Sequence, residues 1–375
     1  MRTLRYLVVL PLLVAFVADV LPAQRKKRNK KGEEEEITQV LDLPKDPPHA
    51  VAAEPQRLGY ITAPLSSKGL LSQQVKDGLK ALRSQAKGAT ILKVRAFVSG
   101  TGDMRRVPSI VSEELTDWKL PLPAVSAIRI GAVPQEGAQV LLEAITSEKK
   151  PANPNGIAFF SGQQITSKEA LEKVDPLVQE SLRRLTLAAT AAKVTTGDMI
   201  HVTCFVSALG DYTAQRASVS AAFPKASVSI VQTLRGLSAA LVECEGVGRL
   251  SEAPASPVQA ISAEGLTPSP NYSQAIALNV PKIIITGTQQ AFRSQESDVK
   301  LAFDRLSKDL TAAGGNLKNA VFTSYYPLTG DIMAKIRAVR FEFLDKSRPP
   351  AATMLLFEGL PSMDASFAFE VVALP

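Results

Sequence analysis

Histidine, cysteine and tryptophan are scarce in this 375-residue chain: two, two and one. Two imidazoles are too few for a His-rich metal site, and two cysteines exclude a disulfide-rich scaffold. There is no Gly-x-x-x-x-Gly-Lys-Ser/Thr loop, no Gly-x-Gly-x-x-Gly after a strand and no Gly-x-Ser-x-Gly elbow. No metal, nucleotide cofactor or serine-nucleophile chemistry is therefore expected. Aromatics are 6% of the chain and do not interleave with basic residues, as single-stranded nucleic-acid binding would require. The net charge is +7, but the first 36 residues hold eight Lys/Arg against five Asp/Glu, so the rest carries only +4. That is too mild to imply a nucleic-acid partner.

The longest apolar run, Tyr6 to Val17, falls short of the roughly 20 residues of a membrane span. Arg2 and Arg5 precede it, and Ala15, Ala18 and Ala23 follow as small residues. This is the layout of a secretory signal peptide over 1–23, which predicts a secreted or periplasmic protein without a stable span after cleavage. Arg25–Lys31 and Glu33–Glu36 are adjacent blocks of opposite charge that cannot bury a core. With Pro44, Pro47, Pro48 and Pro55 they predict a disordered charged tether over 24–56.

What is abundant is repetition. Pro123, Pro224 and Pro350 each open a β-rich stretch that reaches a glutamate, Glu143, Glu245 or Glu370, after 20, 21 and 20 residues. Each stretch reads as a terminal hairpin. Upstream of each lies a strand ending at Gly102-Asp103, Gly210-Asp211 or Gly330-Asp331. Upstream again is a helix with one apolar face: Leu71, Val75, Leu79, Leu82; Val178, Leu182, Leu185, Ala189; Val299, Phe303, Leu306, Leu310. Steps of three and four put each set on one side. The shorter room after Gly210 predicts a trimmed second helix in the middle copy. The modules are assigned to 57–150, 155–250 and 258–375, with polar, Pro-containing linkers between them.

The strands Ile91–Val98 and Ile283–Thr286 are apolar without alternation, so both their faces should be buried. Helices cover one face. Three copies on one chain can cover the other by packing their sheets around a pseudo-threefold axis. The expected fold is α+β, a monomeric chain acting as an intramolecular pseudo-trimer, with clefts between neighbouring modules.

Pro270-Asn-Tyr272-Ser-Gln-Ala, then Ile283-Ile-Ile-Thr286-Gly287-Thr-Gln, resembles the opening of the RidA family (YjgF, L-PSP). Phe159-Phe160-Ser161-Gly162-Gln163 resembles the same strand end, and Gly59–Ser66 is a more divergent counterpart. The resemblance implies chorismate-mutase-like modules with two helices each. It implies hydrolysis of small imines and enamines between subunits, with an arginine gripping the substrate carboxylate, a glutamate positioning water and a tyrosine lining the pocket.

This sequence departs from that pattern. The arginine position is Val125, Ala226 and Ala352, none of which offers a bidentate cation. The water-positioning carboxylate matches Glu243 alone, against Leu141 and Ala368, and the tyrosine survives only as Tyr272. Lys225, Arg129 and Arg348 read as surface charges rather than substitutes. The expectation is an exported protein binding a small molecule in its inter-module clefts, with Tyr272, Ser161, Gly162, Thr286, Gly287, Val125, Ala226 and Ala352 lining them. The alternative is an imine/enamine deaminase working through one atypical cleft with Glu243 as its catalytic residue. A family ribonuclease activity fits poorly with the mild charge. Cys204 and Cys244 lie on strands that are neighbours in the family fold, leaving open a disulfide or two small buried thiols. His201 reads as a strand histidine and Trp118 as core.

Overall fold

The computed structural model describes residues 45–375; the expected signal peptide and most of the expected tether lie outside them. In chain order the elements begin with β1 (Ala50–Ala53), β2 (Leu58–Thr62), α1 (Leu71–Ala86), β3 (Thr90–Val98), α2 (Val107–Asp117), β4 (Ala124–Arg129) and β5 (Val140–Ser147). Next come β6 (Ile157–Thr166), α3 (Asp175–Ala191), β7 (Met199–Val206), α4 (Tyr212–Ala222), β8 (Ser227–Gln232) and β9 (Leu241–Arg249). The remainder is β10 (Val258–Ile261), β11 (Ala275–Leu278), β12 (Ile283–Thr286), β13 (Gln289–Phe292), α5 (Glu296–Ala312), β14 (Ala320–Pro327), α6 (Gly330–Phe343), β15 (Ala351–Met354) and β16 (Ala365–Ala373). This is a mixed α+β protein with three mixed sheets and six helices among the described residues.

The three apolar faces read from the sequence all lie inward on α1, α3 and α5. The Gly-Asp turns act at helix starts. Asp211 accepts from the Ala214 N–H at 3.3 Å to cap α4, and Asp103 accepts from the Arg105 N–H at 3.1 Å ahead of α2. In the third copy Thr329 takes the capping role, accepting from the Ile332 N–H at 3.3 Å, and Gly330 opens α6. The middle second helix is not trimmed relative to the first, since α2 and α4 both have 11 residues; only α6, with 14, is longer. The extra room before Pro123 is taken by a short 3-10 turn and loop.

The expected terminal hairpins are not hairpins. In each sheet the two strands flank a third: β3 lies between β4 and β5, β7 between β8 and β9, and β14 between β15 and β16. The first partner is parallel and the second antiparallel. A strand–helix–strand crossover delivers β4 parallel beside β3, and the following strand pairs on the free edge.

Two further corrections concern module limits. Ala50–Ala53, assigned to the tether, form β1 and pair antiparallel with Ile283–Thr286. Residues 258–278, assigned to the third module, supply β10 and β11 to the sheet of β6–β9, with Ala275 opposite Phe160. The chain thus does not close β11 and β12 into a hairpin. Each strand pairs with a segment distant in sequence, and short apolar runs carry no local sign of which edge they will fill.

Each sheet has its own helix-side core: one includes Val75, Leu79 and Val94, another Leu182, Leu185 and Val202, the third Phe303, Leu306 and Tyr325. The helix-free faces meet one another. Phe97, Phe205 and Tyr326, from three different sheets, join Ile128, Leu141 and Phe357 in one apolar cluster. A second cluster joins Leu58, Phe159, Ile285, Val321 and Val372. Both faces of each sheet are therefore dry, which is why these strands lack polar alternation.

Candidate functional site

Strand register brings equivalent positions of the three sheets together. Arg95 stands opposite Glu143, Thr203 opposite Glu245, and Ser324 opposite Glu370. Two residues earlier on the same strands, hence on the same face, are Leu141, Glu243 and Ala368.

Around Glu243 stand Ser161, Gly162, Tyr272 and Ala352, four of the eight residues named as cleft candidates. Gln164 Nε2 donates to Glu243 Oε2 at 3.0 Å. The Ser161 hydroxyl donates to the Ser273 carbonyl at 2.6 Å and accepts from the Ala352 N–H at 2.8 Å. Ser273 in turn donates to the Pro349 carbonyl at 2.6 Å. The β6 end, the Tyr272 loop and β15 are thereby stitched together across two sheets. Gly162 is required here, because a Cβ would overlap the Glu243 carboxylate. Burial, reinforced by the neighbouring Glu245, pushes the Glu243 carboxyl up to about 8, against hydrogen bonds from Gln164 and the Met354 N–H. Tyr272 is also raised, first by burial and then by Glu243, with Arg184 opposing. A protonated carboxyl beside a phenol is a proton donor at neutral pH. Glu243 is only 4% exposed, so this junction is nearly closed.

Thr286, Gly287 and Val125 meet at a second junction. Thr286 Oγ1 accepts from the Val371 N–H at 2.9 Å, and a Cβ on Gly287 would sit 2.6 Å from the Val125 carbonyl oxygen. Ala368 occupies the carboxylate position and is fully buried. Nothing ionisable faces a ligand there from these positions.

Ala226 lies at the third junction, an open cleft of about 1000 Å³ between β2 and β8. Tyr60, Thr62, Leu141, Tyr212, Arg216 and Lys225 are among its lining residues. Thr62 and Ser227 hydroxyls bridge its floor at 2.8 Å. Lys225, read from the sequence as a surface charge, is exposed and also lines this cleft. Strand alternation does not reach it, because β8 begins only at Ser227. Arg216, on α4, was overlooked; its signal was a lone basic residue on a short helix facing the neighbouring copy. Arg129, at the end of β4, instead donates to the Gly100 and Gly102 carbonyls of the loop after β3.

A buried charge cluster at the centre was also overlooked. Arg95 Nε donates to Glu143 Oε1 at 2.7 Å, and Arg95 Nη2 reaches Glu245 Oε1 at 3.0 Å. Its Nη1 lies 3.7 Å from Glu370 Oε1. Lys93 Nζ pairs with Glu370 Oε2 at 2.8 Å, and His201 Nε2 with Glu143 Oε2 at 2.9 Å. Ser229 donates to Glu143, and Ser126 and Tyr326 to Glu370. Burial lifts the Glu143 and Glu370 carboxyls, but the cations outweigh it and hold both low. Burial depresses Lys93 more than Glu370 raises it. The visible signal was two cations, Lys93 and Arg95, inside an otherwise apolar strand. Cys204 and Cys244 stand directly opposite on β7 and β9 and form a disulfide.

No family model matches the chain, and no curated protein matches it. Solved structures do match parts of it. A Rid-family protein of unknown function from Yersinia pestis is 17% identical, covering 32% of this chain and 100% of its own, with a TM-score of 0.29. A YjgF-family member from Mycobacterium tuberculosis is 18% identical over 25% of this chain and 79% of its own, with a TM-score of 0.23. The YjgF gene product of E. coli is 19% identical over 24% of this chain and 80% of its own, with a TM-score of 0.21. Over about a third of its length or less at a time, this chain is similar to structures of the Rid/YjgF family.

Proposed function

We propose that the chain is a single-chain pseudo-trimer of three RidA-like modules that binds a small molecule in the cleft between its first two modules. The pseudo-trimer reading draws support from the recurring sheet order and from the convergence of Glu143, Glu245 and Glu370. The modules are 57–150, 155–250 and 258–375, with β1, β10 and β11 exchanged between their sheets. The single observation behind the binding role is the 1000 Å³ cleft. It is wide, and it carries Leu141 at the family's carboxylate position and Val228 at its arginine position, since strand register sets Val228, not Ala226 as expected, level with Val125 and Ala352. Arg216 and Lys225 give it basic groups suited to an anionic ligand beside one carboxylate, Glu136, while the family's carboxylate position holds Leu141. The protein acts outside the reducing cytoplasm, a reading supported by the leader-like start and the Cys204–Cys244 bridge.

Thermal-shift titration with short 2-oxo acids tests the binding role. A ligand at a hundred times its Kd adds about 2.7 kcal/mol of apparent stability. The shift disappears in an R216A/K225A double variant. No shift with any carboxylate or phosphate probe overturns the reading.

A second reading rests on Glu243. Its protonated carboxyl beside Tyr272 is the one acid–base pair in a junction of this type. Imine hydrolysis there is measured as ammonia release from freshly generated 2-aminoacrylate. Acceleration that is lost in Glu243→Ala establishes catalysis and displaces the binder reading.

A further inference from the structure

The central charge cluster borders a cavity of about 60 Å³ that is separate from the Glu243 junction. Tyr60, Phe159, Phe322, Ile145, Val247 and Val372 form much of its wall; Glu245 and His201 also line it. Three carboxylates, Glu143, Glu245 and Glu370, face one guanidinium and one ammonium, Arg95 and Lys93. The carboxylates outnumber these two cations, and the His201 imidazole is set against Glu143. The shortage is localised. Every carboxylate oxygen of Glu143 and Glu370 has a partner, but Glu245 Oε2 has none. His201 Nδ1 and the Tyr60 hydroxyl are likewise buried without a partner. Glu245 is 4% and His201 5% exposed. His201 Nε2 lies against the Glu143 carboxylate, and Nδ1 is the ring nitrogen left without a partner. Leaving such groups unpaired is costly, so a donor is missing.

We propose that this cavity is a binding site for ammonium or a small primary alkylammonium ion, held by Glu245 Oε2, His201 Nδ1 and the Tyr60 hydroxyl. The ion supplies the missing charge and donates N–H bonds to oxygen and nitrogen acceptors alike. The cavity has room for more than a single water, so ammonium and methylammonium fit, whereas tetramethylammonium has no N–H to donate. The Tyr60, Phe159 and Phe322 rings add cation–π attraction. A hard metal ion is a poor fit, because such ions require six or more oxygens and Arg95 already fills the middle of the carboxylates. The site arises from divergence of the copies: Lys93, His201 and Phe322 occupy equivalent places, and only together do they make an off-centre polar corner.

The test is thermal unfolding of the full chain in ammonium, methylammonium, sodium and tetramethylammonium chlorides at matched ionic strength and fixed neutral pH. Saturable stabilisation is expected from the first two salts alone. Glu245→Gln weakens that response about tenfold or more, while Glu252→Gln, at a surface pair with Lys193, leaves it unchanged. Equal responses to all four salts overturn the proposal, as does an unaltered response in Glu245→Gln. Should that variant not fold, 15N-ammonium NMR of the unmodified protein decides. A slowly exchanging bound resonance supports the site, and its absence at saturating ammonium refutes it. Failure of ligands in the outer cleft leaves these outcomes untouched.

Discussion

The Arg95 guanidinium and the Glu245 carboxylate, 150 residues apart in sequence, meet at 3.0 Å in the interior. Arg95 also binds Glu143 and lies beside Glu370, so one cation ties three sheets together. Removing one partner of a buried ion pair costs about 3–5 kcal/mol, because the other charge stays behind unpaired. Arg95→Met should lose at least that much in urea unfolding near neutral pH. The sign of the pH effect follows from Glu143 and Glu370, whose carboxyls are held low. Their contribution is present above the unfolded carboxylate pKa and is lost as acid protonates them in the fold. Arg95→Met should therefore flatten the acid limb of the stability profile. A variant as stable as the parent would mean that the cluster is not load-sharing between sheets.

Glu243 behaves in the opposite sense. Its folded pKa is about 8 against an ordinary 4.5, so the fold holds a proton that the unfolded chain releases. Stability from this group is complete below about pH 4.5 and falls until about pH 8. The loss over that span is roughly 3–5 kcal/mol at about 1.4 kcal/mol per unit. Glu243→Gln keeps the shape and never ionises. It should match the parent at low pH and exceed it by a few kcal/mol at the alkaline end, as read by urea midpoints across that range.

How much of this could be read in advance depended on whether the cause was local. The faces of α1, α3 and α5 follow from spacing alone, and every residue named for them is buried. Aligned repeats match Glu243 with Leu141 and Ala368, but they carry no sign of which neighbour each copy packs against, so the gathering of Ser161, Gly162 and Ala352 around Glu243 was not legible. The parallel pairing of β4 with β3 follows from the strand–helix–strand crossover; the place of β5 on the far side of β3, instead of in a hairpin with β4, does not, because apolar strands carry no local sign of their partner. Ala50–Ala53 is short and bland, and only the waiting edge of β12 makes it a strand. Lys93 and Arg95 were plainly charges inside an apolar strand, yet their partners lie in three separate stretches of chain. Lys225 was hidden because the loop ahead of β8 escapes the alternation rule, and Arg216 because a single basic residue on α4 carries no sign of the cleft it lines.

Bridging Cys204 to Cys244 closes a loop of 40 residues. Chain-entropy arguments give such a crosslink about 4 kcal/mol. Cys204→Ala/Cys244→Ala should lose a similar amount in denaturant, and thiol labelling of unreduced, unfolded parent should find no free thiol. Two reactive thiols would remove the bridge and its support for an oxidising compartment.

β1 caps the edge strand β12 of the third sheet. Deleting residues 45–54 would bare the hydrogen-bonding edge of Ile283–Thr286, an apolar strand with no charge to guard it. The truncated chain should self-associate in size-exclusion chromatography at concentrations where the parent elutes as one species. An unchanged elution profile would mean that the pairing contributes nothing to edge protection.

Gly162 and Gly287 face similar crowding from different neighbours. At Gly162 the obstacle is the Glu243 side chain, whereas at Gly287 it is the Val125 backbone carbonyl, 2.6 Å from where a Cβ would stand. A side chain can rotate aside; a strand backbone held in a parallel ladder cannot. Overpacking costs about 1–3 kcal/mol. Gly287→Ala should fall at the upper end of that range or beyond. Gly162→Ala should cost less, chiefly by breaking the Gln164–Glu243 contact. Combining Gly162→Ala with Glu243→Ala should cost less than the sum of the two, since the shortened side chain leaves room for the new methyl. Equal penalties for the two glycine variants, or strict additivity in the cycle, would show that Glu243 does not lie over Gly162.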